Sequence, residues 1–348
     1  MVTLDCNFVS DTPTLPASSS SPAIPAPESA FAAVKAIGEH LQHQVIGQQQ
    51  LIERMLIALL CGGHVLVEGA PGLAKTRAIK ALSEVVEGDF HRIQFTPDLL
   101  PSDVTGTEIY RPEDGSFSFQ QGPIFHNVIL ADEINRAPAK VQSALLEAMA
   151  ERQVTFGRQT FTLPDFFMVM ATQNPIEQEG TYPLPEAQLD RFLVQIDVAY
   201  PDRETERDIL LATTGDTDAQ AAPVFTTAEL LAAQTLLRQM PVGESVVELI
   251  LDLVRAFRPD GPDASPQVRD TVAWGPGPRA AQALMLTVRA RALLQGRLAP
   301  SAEDVIDMAR PVLLHRMALN FAARARGDSL SVLIDTTAAS LIGKKAAA

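Results

Sequence analysis

A glycine-rich loop in the sequence has the residue types that bind phosphate groups. It begins with Gly69 and ends with Lys75 and Thr76, which are the fixed positions of a P-loop. In such a loop the backbone N–H groups and the following helix N-terminus face the phosphates, the lysine neutralises the β- and γ-phosphates, and the hydroxyl binds Mg²⁺. The predicted nucleotide-binding residues are Gly69, Ala70, Pro71, Gly72, Leu73, Ala74, Lys75 and Thr76.

One position departs from the pattern, because Ala74 stands where a glycine normally precedes the lysine. The loop keeps its function if Ala74 has a right-handed helical conformation, in which a methyl group is tolerated. We therefore expect that conformation at Ala74. The alternative is a plain Gly/Pro turn between a strand and a helix. The acidic pair described next favours the P-loop over this alternative.

Two carboxylates follow an apolar strand. Residues 128–131 form a continuous apolar run, as in a buried parallel strand, and Asp132 and Glu133 come directly after it. Because ligands of open α/β sheets bind at the carboxyl ends of the strands, both acids should face the phosphates. Asp132 would bind Mg²⁺ through water, and Glu133 would orient and polarise the attacking water. A solvated strand end is the minor alternative.

Three further polar residues are candidates for the same site. Asn174 follows an apolar strand and would hold the attacking water if that strand lies beside the acids, although an Asn-Pro turn is the plain alternative. Arg191 would stabilise γ-phosphate charge from a neighbouring subunit, or be an ordinary surface or salt-bridge residue. Arg279 stands at a helix start, where a cation is unfavourable, so its expected partner is the γ-phosphate or an acidic side chain.

The elements that must position these residues alternate between strand and helix. Strands are predicted at 64–67, 90–95, 128–131, 166–171 and 192–198, and helices at 31–41, 51–59, 75–85 and 139–150. Two hairpins are predicted, one in an inserted region at 97–122 with Asp114-Gly115 at its turn, and one at 154–162.

The chain divides into three predicted regions. Residues 1–30 are rich in proline and serine and predict a disordered tail. Residues 31–200 hold the nucleotide-binding α/β domain. Residues 201–348 form a helical domain with periodic stretches at 226–238, 243–257, 279–294 and 302–317 and a Pro/Gly-rich connection at 261–278.

Composition limits the classes of function. The net charge of the 348 residues is −14, whereas nucleic-acid binders usually have a basic excess, so nucleic acid is not expected as a partner. The two cysteines, Cys6 and Cys61, do not indicate a structural disulfide, which fits a reducing compartment. No apolar run reaches the ~18 residues of a membrane span, and the first residues lack a basic signal segment. The sequence therefore predicts a cytoplasmic protein.

Taken together, these motifs resemble those of the AAA+ ATPases and, within them, the MoxR family. The resemblance covers about residues 31–342. Its most specific segments are residues 69–76 (GAPGLAKT), 94–103 (QFTPDLLPSD), 131–137 (ADEINRA), 171–175 (ATQNP), 184–192 (LPEAQLDRF) and 274–280 (WGPGPRA). Ala74 matches the MoxR pattern, whereas Gly277 departs from it, since the family more often has Ala or Ser before the proline.

The resemblance implies an α/β fold: a P-loop AAA+ core with a parallel five-stranded sheet, hairpin inserts and a C-terminal helical lid domain. It implies that Asn174 is sensor 1, Arg191 the arginine finger and Arg279 sensor 2, which is also a nucleotide ligand. Val45, Ile46, Gly47 and Gln48 would lie near the adenine. Gln94 would act as a switch on Glu133.

The resemblance also implies a chaperone-like ATPase with ATP and Mg²⁺ as cofactors, assembled as a homo-hexamer. It would remodel, mature or activate client proteins together with a protein that carries a von Willebrand factor A domain. Three other functions remain open at this point: a magnesium-chelatase-like subunit, a nucleic-acid motor, and a nucleotide-gated scaffold with little turnover.

Overall fold

The computed structural model of the chain describes residues 27–346, apart from 71, 114, 158, 176–179 and 214–224. Most of the predicted tail, together with Pro71 of the glycine loop and Asp114 of the first hairpin turn, lies outside the described residues. The first helix, α1 (Pro27–Gln44), begins before Phe31, where order was expected from the sequence.

Five parallel strands form the central sheet, in the order β2-β5-β8-β1-β9. Among the described residues up to Val198, the strands are β1 (Val65–Gly69), β2 (Phe90–Gln94), β3 (Gly106–Arg111), β4 (Ser116–Gln121), β5 (Val128–Asp132), β6 (Gln153–Phe156), β7 (Gln159–Thr162), β8 (Met168–Gln173) and β9 (Val194–Val198). The order confirms the predicted parallel sheet. It also makes β5 and β8 neighbours and places β1 next to β8, so the residues that follow these three strands meet at one edge.

Helices cover both faces of the sheet, which explains why its central strands are apolar on both sides. One face packs against α1, α2 (Gln49–Cys61) and α3 (Lys75–Glu84), and the other against α4 (Pro101–Thr105) and α5 (Ala139–Glu151). A short helix, α6 (Glu186–Leu189), precedes β9.

The two predicted hairpins are present and pack against each other. Strands β3 and β4 pair antiparallel, as do β6 and β7. The ring of Phe119 in the first hairpin stacks on that of Phe161 in the second, with 4.3 Å between the ring centroids. This aromatic contact fixes one hairpin relative to the other, beside the α/β core.

The C-terminal region forms the lid, and its helices pack against α2 and β9 of the core. Its elements are α7 (Arg203–Thr213), α8 (Thr227–Gln239), α9 (Glu244–Ala256), α10 (Pro266–Thr271), β10 (Val272–Trp274), α11 (Pro278–Leu294), α12 (Ala302–Leu313), β11 (Ala318–Leu319), α13 (Phe321–Arg326) and α14 (Leu330–Ala346). Helices occupy the four predicted periodic stretches. The antiparallel pair of β10 and β11 is an addition, because the sequence indicated helices alone.

None of the helices within the described residues has the length and apolar character that crossing a membrane requires.

Candidate active site

A cavity of about 330 Å³ opens at the carboxyl ends of β1, β5 and β8. It is lined by Gly72, Leu73, Ala74, Lys75, Thr76, Arg77, Asp132, Glu133, Thr172 and Asn174. The strand order thus brings together the glycine loop, the acidic pair and Asn174, which lie far apart in the sequence. The condition set for Asn174, that its strand neighbours that of the acids, is met by the pairing of β5 with β8.

The glycine loop is shaped by close backbone contacts. A Cβ added at Gly69 would lie 2.8 Å from the carbonyl oxygen of Val198, so this position requires glycine. Gly72 has a φ of +83°. Ala74 has φ 57° and ψ 16°, which is the left-handed region. The expected right-handed conformation of Ala74 is therefore wrong: the alanine adopts the backbone that a glycine would favour, at a cost in strain.

Lys75 is the first residue of α3, and its ammonium group lies among backbone oxygens. Its Nζ donates to the carbonyl oxygens of Gly69 at 2.6 Å and Gln173 at 3.4 Å. Partial burial lowers the pKa of Lys75, and the negative charges of Asp132, Glu133 and Glu68 oppose that shift. The cation thus lies over the loop and close to both acids of the pair.

Asp132 is held by two residues that the sequence analysis did not identify. Its Oδ1 accepts a hydrogen bond of 2.5 Å from the hydroxyl of Thr172 on β8. Its Oδ2 accepts from Nε and Nη2 of Arg92 on β2, at 3.0 and 2.7 Å. Both partners come from the strands on either side of β5, so only the strand order reveals them.

Glu133 has an unusual backbone and two side-chain donors. Its φ is 56°, in the left-handed region, where residues other than glycine are strained and often functional. Its Oε2 accepts from Nε2 of Gln94 at 2.9 Å and from Nη1 of Arg136 at 3.0 Å. The Gln94 contact agrees with the pairing that the family resemblance implied, and the Arg136 contact is additional.

Comparison with known proteins identifies the family. The model of the ATPase family associated with various cellular activities (AAA) matches residues 64–194, and that of the AAA lid domain matches residues 266–334. The chain is 48% identical over 291 residues to Chaperone MoxR1 of Mycobacterium tuberculosis, a match that spans 84% of this chain and 77% of that protein. The chain belongs to the MoxR family of AAA+ ATPases.

Other relatives agree with the MoxR assignment. Identity is 34% over 320 residues to Protein MoxR of Paracoccus denitrificans, across 85% of this chain and 92% of that protein. It is 41% over 297 residues to the uncharacterized protein YeaC of Bacillus subtilis, across 85% and 90% of the two chains. A crystal structure from Cytophaga hutchinsonii superposes with a TM-score of 0.83 at 41% identity, covering 89% of this chain and 94% of that one. Fold and family therefore agree: this is a MoxR-family AAA+ ATPase with a helical lid.

Two arginines of the predicted site, Arg191 and Arg279, do not line the cavity of their own chain. Nη1 of Arg191 donates to the carbonyl oxygen of Leu146, near the C-terminal end of α5. Nη1 of Arg279 lies 3.7 Å from Oδ2 of Asp190, the residue before Arg191. Of the two partners expected for Arg279, the structure contains the acidic side chain. Both arginines thus lie near the same short segment, away from the glycine loop.

The segment expected near the adenine borders a second cleft, of about 450 Å³. The side chain of Val45 is buried in the core, and Ile46 is half-buried. The cleft is lined by Gly47 and Gln48 of the same predicted segment, by the next residues to Leu51, and by the end of β9 with the chain after it. A Cβ added at Gly47 would lie 2.0 Å from Cγ2 of Thr205, so glycine is required where the loop meets α7.

Proposed function

We propose that this MoxR protein hydrolyses ATP in the cavity between the glycine loop and the acidic pair and uses the energy to remodel, mature or activate client proteins. The observation that supports this most is the convergence of Lys75, Thr76, Asp132, Glu133 and Asn174 on one cavity. A cation, a hydroxyl, two carboxylates and an amide are the groups that phosphoryl transfer to water requires.

The residues that line the cavity fit Mg²⁺ and a nucleoside triphosphate. Thr76 and Asp132 offer hard oxygen donors, which magnesium prefers, on the same cavity wall. The N-terminus of α3 points backbone N–H groups and the positive end of its dipole at the same space, as anion binding requires. When bound there, the metal ion would offset charge on the phosphate oxygens. Lys75 would neutralise the β- and γ-phosphates.

The remaining residues act on the attacking water. Glu133 would accept its proton, and the amide of Asn174 would hold it in line. In the structure Gln94 and Arg136 both donate to Oε2 of Glu133, so these two side chains hold the carboxylate in place. We assign to Gln94 the role of a switch that keeps Glu133 away from the water until the site is complete.

We further propose that the protein assembles as a homo-hexamer whose neighbouring subunits share each site. Arg191 and Arg279 lie outside the cavity of their own chain, which supports their use at the site of the next subunit. An arginine supplied in this way stabilises charge that develops on the γ-phosphate and accelerates hydrolysis by ~10³–10⁵-fold.

The proposed partner is a protein with a von Willebrand factor A domain, and the proposed location is the cytoplasm. The family resemblance is the basis for proposing this partner. The chaperone-like role is supported by the name of one relative, Chaperone MoxR1. The net charge of −14 weighs against a nucleic-acid motor.

Steady-state ATP hydrolysis across a protein concentration series tests this proposal. Turnover per subunit should rise with concentration as shared sites form, and it should fall by ~10²–10⁴-fold in Glu133→Gln, which removes the base. Glu147→Gln, an exposed change on α5, is the matched control and should keep full activity. Nucleotide binding without turnover at every concentration would instead support a scaffold. Stimulation by DNA at low salt would support a motor.

A further inference from the structure

A buried arginine of the lid enters the core beside the proposed arginine finger. Arg316 ends a short 3₁₀ turn after α12 and is only 4% exposed. Its Nε donates to Oδ1 of Asp190 at 2.7 Å. Nη1 donates to the carbonyl oxygens of Leu193, at 3.0 Å, and Val312, and Nη2 to those of Phe192, at 2.5 Å, and Asp190, at 3.4 Å. All N–H groups of the guanidinium are therefore used.

The acceptors of Arg316 lie on both sides of Arg191. Asp190 precedes it, and Phe192 and Leu193 follow it, so the lid arginine holds the backbone around the finger without touching the finger itself. The rigid fork of a guanidinium presents five donors in fixed directions, whereas an ammonium group has three donors on a single atom. The segment 190–193 thus has its geometry set from the lid.

Two neighbouring contacts reinforce this connection. The carbonyl oxygen of Phe192 also accepts from Nε2 of His315, at 3.0 Å. Arg279 places a second lid cation 3.7 Å from the Asp190 carboxylate. Burial lowers the pKa of Arg316, and the charge of Asp190 opposes that shift. Removal of the Asp190 carboxylate would leave the buried charge of Arg316 without an acidic partner, whereas removal of Arg316 would leave Asp190 with Arg279 alone.

We propose that Arg316 is a positioning residue that aligns Arg191 with the nucleotide of the neighbouring subunit. This inference rests on the proposed function, in which Arg191 acts across the subunit boundary. It predicts that a subunit without Arg316 still binds nucleotide in its own cavity. Hydrolysis should instead slow at the site of the neighbouring subunit, which receives the misplaced Arg191. Misplacement of a catalytic group by about 1 Å costs ~100-fold in rate, so kcat should fall by that order.

The first measurement compares Arg316→Gln with the full-length parent protein. Arg316→Gln should lower kcat ~100-fold while the affinity for a fluorescent ATP analogue stays within about threefold. Arg316→Lys keeps the charge but not the fork and should recover only part of the rate. The matched control is Arg291→Gln. Arg291 is another largely buried lid arginine, but it pairs with Asp304 and Asp307 and makes no contact with residues 190–193.

The second measurement mixes variants and separates positioning from general damage. Subunits with Arg316→Gln keep an intact glycine loop, and subunits with Lys75→Ala keep an intact finger. Mixed rings therefore contain sites with a good loop from one variant and a good finger from the other, and turnover should exceed the sum of the two separate preparations. A merely structural role of Arg316 gives no such recovery.

A parallel mixture of Arg191→Ala with Lys75→Ala tests the shared site separately from the positioning role of Arg316. Recovery with Arg191→Ala but not with Arg316→Gln overturns the positioning role and leaves the shared site standing. Recovery with neither overturns the shared site. If Arg316→Gln does not fold, Asp190→Ala removes the carboxylate that accepts from Nε of Arg316, and equal losses of kcat in Asp190→Ala and Arg291→Gln overturn the inference.

Discussion

Arg92 donates two hydrogen bonds, from Nε at 3.0 Å and from Nη2 at 2.7 Å, to a single carboxylate oxygen of Asp132. The proposed magnesium ligand is therefore neutralised by a cation from β2. Nη2 of Arg92 also donates to Oε1 of Gln94 at 2.8 Å, and Gln94 donates to Glu133. One network thus joins both acids of the site, and a metal ion at Asp132 must compete with Arg92.

Arg92→Gln should therefore strengthen the effect of magnesium on nucleotide binding. The side chain of Arg92 is half exposed, so its ion pair is worth about 1 kcal/mol at most. We expect the ratio of ADP affinity with Mg²⁺ to that with EDTA to rise by up to about fivefold. Titration of a fluorescent ADP analogue measures it. Arg111→Gln, on the exposed first hairpin, should leave the ratio unchanged, and a smaller ratio in Arg92→Gln would mean that Arg92 assists the metal.

Lys75→Ala should abolish nucleotide binding under ordinary conditions. The cavity would lose its loop cation, and charge-assisted hydrogen bonds to phosphate are worth about 1.5–3 kcal/mol each. We expect affinity to fall by about 100-fold or more, measured by calorimetric titration with ATP and Mg²⁺.

The matched control for Lys75→Ala is Lys80→Ala. Lys80 lies on the same helix but is exposed and pairs with Glu84, so its removal should change affinity little. Equal affinities of the Lys75→Ala and parent proteins would show that the phosphates bind elsewhere.

Ala74→Gly should stabilise the protein, because it removes a methyl group from a left-handed backbone. The strain of a non-glycine residue there is about 1–2 kcal/mol, partly offset by the greater freedom of glycine in the unfolded chain. We expect a gain of about 1 kcal/mol and a rise in Tm of about 2–4 °C, with nucleotide binding retained. Differential scanning calorimetry of the variant and the parent protein measures the change in Tm.

The control for Ala74→Gly is the same substitution in a right-handed helix. Ala36 is exposed within α1, and Ala36→Gly should destabilise by about 1 kcal/mol. The two glycine variants should therefore shift Tm in opposite directions. A loss of stability in both would mean that the loop carries no backbone strain at Ala74.

Much of the core was predictable because its signals are local. Each central strand is a short apolar run, and the glycine loop lies between a strand and a helix, so the α/β fold and most of the cavity residues follow from sequence spacing. The contact that requires glycine at position 69 was not predictable in this way, because Val198 lies on a distant strand.

The missing parts depend on contacts between distant residues. Thr172 and Arg92 reach Asp132 only because their strands flank β5, and Arg316 reaches Asp190 across the lid boundary. The strands β10 and β11 have three and two residues, too few for an alternating pattern to be visible. Such features can be identified only from the folded structure.

His64 should make stability depend on pH in the weakly acidic range. The ring is buried, and its Nδ1 accepts the backbone N–H of Val169 at 3.0 Å. Burial, aided by the charge of Arg152, lowers the pKa of His64 from 6.5 to about 4. Below pH 6.5 His64 is protonated in the unfolded chain but stays neutral in the folded chain. Its contribution to the free energy of unfolding is therefore complete above pH 6.5 and is lost as the pH falls toward 4.

The expected loss from His64 is about 2 kcal/mol between pH 7 and pH 5, before the carboxylates titrate. Buried His315, whose pKa is lowered by burial and by Arg316, should add a loss of the same sign. His64→Asn offers an amide oxygen to Val169 and does not titrate, so its stability should fall less over this range. Urea unfolding at both pH values measures the difference, with exposed His43→Gln as the control. Parallel losses in the parent and His64→Asn proteins would show that the pKa of His64 does not differ between the folded and unfolded chains.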